Sequence, residues 1–120
     1  MPQIYLMVAP RIREAMNQAT LQILNEKLSG VIVEEWKVPE DDIACSAAAL
    51  LYTHGEADLQ VEVRYTAGAD EYNWGRPFDP TEEEQKALAV RMQEVAKSVT
   101  KCTVSVWPKP YYKCGFVPPK

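Results

Sequence analysis

Ile4, Leu6 and Val8 alternate with Tyr5 and Met7 near the start of the chain, the period of two that turns one face of a strand toward a core. Pro10 has no N–H to give a ladder and ends that strand. Over residues 12–36, Met16, Leu21, Leu24, Leu28, Val31 and Ile32 recur mostly three or four positions apart, the spacing of one buried helical stripe. Gly30 weakens this helix without ending it. The segment Lys37-Val38-Pro39-Glu40-Asp41-Asp42 breaks the pattern, and the apolar, Ala-rich residues 43–52 predict a second strand.

The same order returns in the second half. Leu59, Val61, Val63 and Tyr65 alternate with Gln60, Glu62, Arg64 and Thr66, the clearest strand in the sequence. After a loop over residues 67–78 comes Asp79-Pro80-Thr81-Glu82, in which Asp79 can cap free amides, Pro80 suits the first helical position and Glu82 completes a capping box. Leu88, Met92, Val95 and Val99 place the apolar face of the helix that follows, and Glu82, Glu83 and Glu84 suit its positive end. Cys102, Val104 and Val106 alternate with Thr103, Ser105 and Trp107 as a last strand, after which Pro108, Pro110, Pro118 and Pro119 predict a tail of short extended pieces.

Strand, helix, strand, twice over, predicts an α+β fold of tandem βαβ units, with parallel pairs closed by right-handed crossovers. The two units combine into a four-stranded mixed sheet with both helices on one face. At 120 residues the expectation is one domain, with a pseudo-repeat over 2–58 and 59–107 and a tail over 108–120. The other sheet face would carry Tyr5, Met7 and small alanines, a surface that predicts oligomerisation.

Composition narrows the partners. The 13 basic and 17 acidic side chains give a formal charge of -4, without the basic surplus that attracts phosphate backbones, so no nucleic acid is expected. No apolar run reaches the roughly 20 residues that cross a bilayer, so no membrane partner is expected, and Met1-Pro2-Gln3-Ile4-Tyr5 lacks the pattern of a secretory signal. A cytoplasmic protein is the expectation. Cys45, Cys102 and Cys114 are scattered without CxxC spacing and read as reduced thiols. No phosphate-cradling glycine loop, HExxH or Ser-His-Asp set calls for a cofactor or a metal.

The order of elements and several short segments resemble the tautomerase superfamily, particularly the branch of macrophage migration inhibitory factor. The telling pieces are Met1-Pro2, Ala9-Pro10-Arg11, Trp36-Lys37-Val38-Pro39 and Ala67-Gly68. The resemblance implies a homotrimer with pockets at subunit boundaries and an amino-terminal proline as base. The chemistry can be argued independently. Removal of Met1 would leave Pro2 a free secondary amine; an α-amino group ordinarily titrates near 7.7 to 8.0, and burial or a neighbouring cation lowers that value toward useful base strength. A retained Met1 would instead make the nitrogen an amide.

Proton transfer beside a carbonyl creates an enolate, so donors or cations must stand where that charge appears. Lys37 falls where the family places a pocket lysine, although a cation at a helix C-terminus is favourable anyway. Arg11 matches an arginine that smaller tautomerases use to hold carboxylates; Arg13 fits in another register, and a solvated loop arginine is the plain reading. An antiparallel third strand would bring Arg64 and Tyr65 to the Pro2 end, with Arg64 out of phase with the apolar face. In the long loop that follows, Arg76 could clamp an anion bidentately, while Tyr72 and Trp74 exclude water or pack against a neighbour. Trp107 is either a pocket wall or a subunit contact. His54, beside Gly55, reads as a turn residue.

The sequence thus predicts a tautomerase-like isomerase of a small-molecule carboxylate in keto or enol form, with Pro2 as base and Lys37, Arg11, Arg76, Tyr65 and Trp107 around the substrate. The alternative is a non-catalytic trimeric binding or structural protein of the same fold. Water addition by the same scaffold would need Asp70 or Glu71 to position the water.

Overall fold

A computed structural model describes residues 2–67 and 78–112. The first strand, β1 (Gln3–Val8), is followed by a 3-10 turn at Pro10–Ile12, helix α1 (Gln18–Trp36), a second 3-10 turn at Glu40–Asp42 and strand β2 (Ala44–Ala49). The second unit consists of β3 (Leu59–Ala67), α2 (Glu82–Thr100) and β4 (Val104–Tyr112). The strands form one four-stranded sheet in the order β2-β1-β3-β4. Each unit contributes a parallel pair, β1 with β2 and β3 with β4, and the units join through antiparallel β1 and β3.

Period two decides which face is covered. Ile4, Leu6 and Val8 of β1 and Leu59, Val61, Val63 and Tyr65 of β3 share one core with Leu24, Leu28 and Ile32 of α1 and Leu88 and Met92 of α2. Both helices therefore lie on that face. Fully burying a side chain of this size contributes about 1.5–3 kcal/mol, which is why the alternation in β3 is so regular. Arg91 of α2 ties the helices together through Glu34 at 2.7 Å and Glu35 at 2.8 Å.

Four boundaries differ from the sequence reading. The first helix begins at Gln18, with the Asn17 side chain accepting from the Thr20 amide at 2.9 Å; Pro10 and the turn after it reverse the chain first, and Met16 reaches the core from outside the helix. The second helix is capped by Thr81, not Asp79. Its hydroxyl accepts from the Glu84 amide at 3.1 Å while the Glu84 carboxylate accepts from the Thr81 amide at 3.2 Å, so the reciprocal box lies two residues later.

The third difference concerns the tail. β4 continues through Pro108 and Pro110 to Tyr112, paired with β3 throughout. Pro108 and Pro110 have one parity, so both missing N–H groups fall on the open edge of the sheet, where a strand tolerates them. Of residues 43–52, only Ala44–Ala49 pair as β2, leaving Leu51 and Tyr52 beyond its end. No helix among the described residues is long and apolar enough to cross a membrane.

Candidate active site

The strand directions gather four chain segments at one end of the sheet. α1 runs back from the end of β1 to the start of β2, so Trp36 and Lys37 return to the end where β1 begins. β3 is antiparallel and finishes at that end, and Phe78, on the way to α2, is there too. Pro2 precedes β1, is buried, and its carbonyl accepts from the Ala44 amide at 3.2 Å. Gln3 pairs with Arg64, so the register continued by one step sets Pro2 beside Tyr65.

An aromatic triad fills the core at this end. Trp36 meets Tyr65 edge to face at 5.0 Å and Phe78 at 5.6 Å, and Tyr65 meets Phe78 at 5.6 Å. The Trp36 indole donates to the Glu84 carbonyl at 3.4 Å, tying the end of α1 to the start of α2. Tyr65 is only 2% exposed, so its ring is part of this floor. Its phase with Val61 and Val63 accounts for that position.

Lys37 is exposed and caps α1 in the left-handed conformation at φ 56°, its amide donating to the Val33 carbonyl at 3.0 Å. Lys101 ends α2 in the same way at φ 59°. The geometry is thus a helix-capping device common to both repeats. What sets Lys37 apart is its location, since Lys101 stands at the opposite end of the sheet.

Arg11 is not brought to Pro2 within one chain. It follows β1 at the far end, a strand length of about 20 Å away. There its Nε pairs with Asp58, Nη1 donates to the Thr53 hydroxyl at 3.0 Å and Nη2 to the Glu56 carbonyl at 2.9 Å. All three nitrogens are engaged. Burial raises the Asp58 carboxyl, but hydrogen bonds from the Thr103 amide, Arg11 and the Thr103 hydroxyl, with the Arg11 charge, outweigh it and leave the pKa below the usual value. His54 is exposed in the same connection, its amide donating to the Glu56 carboxylate at 2.6 Å.

The sheet face away from the helices carries a charged cluster that the sequence reading did not assemble. Glu62, 8% exposed, pairs with Arg64 at 2.8 Å and Lys109 at 3.7 Å. The Arg64 guanidinium lies 3.9 Å from the centre of the Tyr5 ring, a cation–π stack. Its hydrogen bond to Glu62 chiefly holds the Arg64 pKa above its ordinary value. Trp107 pairs across the strands with Glu62 on this face and is 57% exposed; it stands in mid-strand, away from the Pro2 end. The signal for the cluster was the shared parity of Glu62 and Arg64. Its other half, Lys109, lay in residues read as tail.

Arg76, Tyr72, Trp74, Asp70, Glu71 and Cys114 lie outside the described residues. Among the described residues, no group of three or more His, Cys, Asp or Glu side chains is placed to hold a metal ion. Cys45 is half-buried, and desolvation pushes its thiol pKa up.

No family model matches this sequence, and no curated protein matches it. Solved structures do match its fold. Native fused 4-OT superposes with a TM-score of 0.72 at 15% identity, over 97% of this chain and 91% of the other. Pt0534 inactivated by 2-oxo-3-pentynoate gives 0.70 at 17% identity, over 95% and 89%. A symmetric trimer of a wild-type fused 4-OT gives 0.68 at 15% identity, over 95% and 89%. The chain therefore has the fold of tautomerase-superfamily proteins.

Proposed function

We propose that this protein is a tautomerase-like isomerase that moves a proton in a carboxylated keto or enol compound, working as a homotrimer with Pro2 as its base. The observation that carries the reading is the position of Pro2: buried, fixed to β2 through its carbonyl, and placed at the end of the sheet to which α1 returns Lys37. A ring nitrogen on a paired strand has little freedom left to lose.

In this reading Met1 is removed and neutral Pro2 takes a proton from the carbon beside the substrate carbonyl. The electron pair moves onto the carbonyl oxygen as an enolate, which the Lys37 ammonium stabilises, and the proton held by Pro2 passes to that oxygen to give the enol; ketonisation runs the same steps in reverse, Pro2 taking the hydroxyl proton and delivering it to carbon. Lys37 and Arg76 are the proposed anion holders. Tyr65 acts through the aromatic floor. Arg11, fully engaged at the far end, and Trp107, on the open sheet face, are left to assembly.

The trimer reading is supported by the open face itself, where Trp107 is 57% and Tyr111 44% exposed, and by the symmetric and asymmetric trimers of fused 4-OT that share the fold. The same exposed aromatics favour, as a second reading, a non-catalytic trimer of this fold. Intact mass of natively processed protein and ultraviolet-monitored ketonisation of a generic enol-pyruvate separate the two. The proposed function predicts a chain lacking Met1 and a loss of roughly 100-fold or more in kcat/KM for Pro2→Ala. A retained Met1, or equal rates, would overturn the catalytic role.

A further inference from the structure

We infer that Leu51 and Tyr52, projecting beyond the end of β2, dock on the Trp107 and Tyr111 patch of a second copy of this chain, with Arg11 positioning them. The inference rests on the trimer reading above. Leu51 is 96% exposed and Tyr52 79%. Two such neighbours leave on the order of 300 Å² of mostly apolar surface in water.

A loose loop would expose such groups without meaning, but this connection is fastened. The Leu50 amide donates to the Val8 carbonyl at 2.8 Å and the Ala9 amide to the Asp58 carbonyl at 2.9 Å. Between those ties, the Arg11 guanidinium spans Thr53, Glu56 and Asp58. Asp58 is in turn fixed to the start of β4, its amide donating to the Thr103 hydroxyl at 2.8 Å and its carboxylate accepting from the Thr103 amide at 3.3 Å. A segment already held in place loses little further freedom on docking.

The open sheet face matches it in size and charge. Trp107 and Tyr111 have one parity on β4, with Lys109 between them. Together with Leu51 and Tyr52 they supply roughly a third of the ~1,600 Å² that a standard interface buries. The connection over residues 50–58 carries Glu56 and no Lys or Arg, Asp58 being paired with Arg11, whereas the patch sets Arg64 and Lys109 against Glu62 alone. An acidic projection thus faces a patch with one surplus positive charge. Projection and patch are different surfaces of one chain, so the contact is heterologous and closes into a ring when the rotation permits.

Sedimentation equilibrium across a dilution series tests the docking. The wild-type chain is expected to sediment as a trimer, with Leu51→Ser/Tyr52→Ser and, separately, Trp107→Ser weakening association roughly 100-fold at unchanged circular dichroism. Combining them should cost much less than the product of the two effects, as contacting residues require. Arg11→Gln should weaken association about tenfold, with no further loss when Asp58→Asn is added. Ile23→Ser and Val90→Ser serve as controls, because these helix-surface residues are 44% and 46% exposed and should leave association unchanged. A wild-type monomer at every concentration would overturn the trimer reading and the docking together. A trimer that the Leu51/Tyr52 variant leaves intact, or effects that simply multiply, would overturn the docking alone.

Discussion

Replacing Phe78 probes the floor beneath the candidate base. Its side chain is fully buried and meets both Trp36 and Tyr65 edge to face at 5.6 Å. Phe78→Leu keeps an apolar side chain there but removes two aromatic pairs, each worth about 0.5–1.5 kcal/mol beyond area burial. The expected loss is therefore about 1–3 kcal/mol, against about 3–5 kcal/mol for Phe78→Ala, which also leaves a cavity. Urea unfolding at one fixed protein concentration measures both, the concentration being held because assembly shifts apparent stability. Adding Tyr65→Leu should recover about 0.5–1.5 kcal/mol as coupling between the rings. A Phe78→Leu variant within about 0.5 kcal/mol of wild type, the range of ordinary surface changes, would refute the triad as a structural unit.

Three more outcomes follow from the same geometry. Lys37→Gly and Lys101→Gly should each stabilise by up to about 1 kcal/mol, because both lysines hold a left-handed backbone that glycine adopts without strain, but only Lys37→Gly should slow ketonisation; equal activity in both would remove Lys37 from the site. Because folding depresses the Asp58 pKa, its contribution is fully present above the unfolded value near pH 4 and is lost as pH falls through the native value. Asp58→Asn should thus be less stable than wild type at pH 7, and the gap should close below about pH 4 in acid-unfolding curves; a constant gap contradicts the assignment. Thr81→Ala should cost about 1 kcal/mol by thermal circular dichroism, with little added by Glu84→Ala, since the two residues form one reciprocal cap.

The regular parts of the fold were legible because one covered sheet face imposes a period of two. β3 shows this most clearly, and its antiparallel direction followed from relating the two units. Its phase set Tyr65 with Val61 and Val63, yet Tyr65 was read as a substrate contact, and its ring lies in the core. The helix starts were harder. Met16 lies in the apolar stripe but reaches the core from a turn, and Thr81-x-x-Glu84 was masked by the equally plausible Asp79-Pro80 just before it. Pro108 and Pro110 misled because a proline ends a central strand and not an edge one. Least legible was the Arg11–Asp58 pair, which spans 47 positions and has no local spacing to announce it. The gathering of Pro2 and Lys37 at one end follows from strand order and direction, but Lys37 was singled out through the resemblance to the tautomerase superfamily.

The central claim is that natively processed protein presents Pro2 as a nucleophilic, largely unprotonated amine. Treating it near neutral pH with 2-oxo-3-pentynoate, an alkynyl keto acid to which an amine adds without a leaving group, and mapping the product by peptide mass spectrometry tests this most directly. The account predicts one whole reagent mass on the peptide that begins at Pro2. An unmodified Pro2, or a first peptide still beginning at Met1, would contradict it.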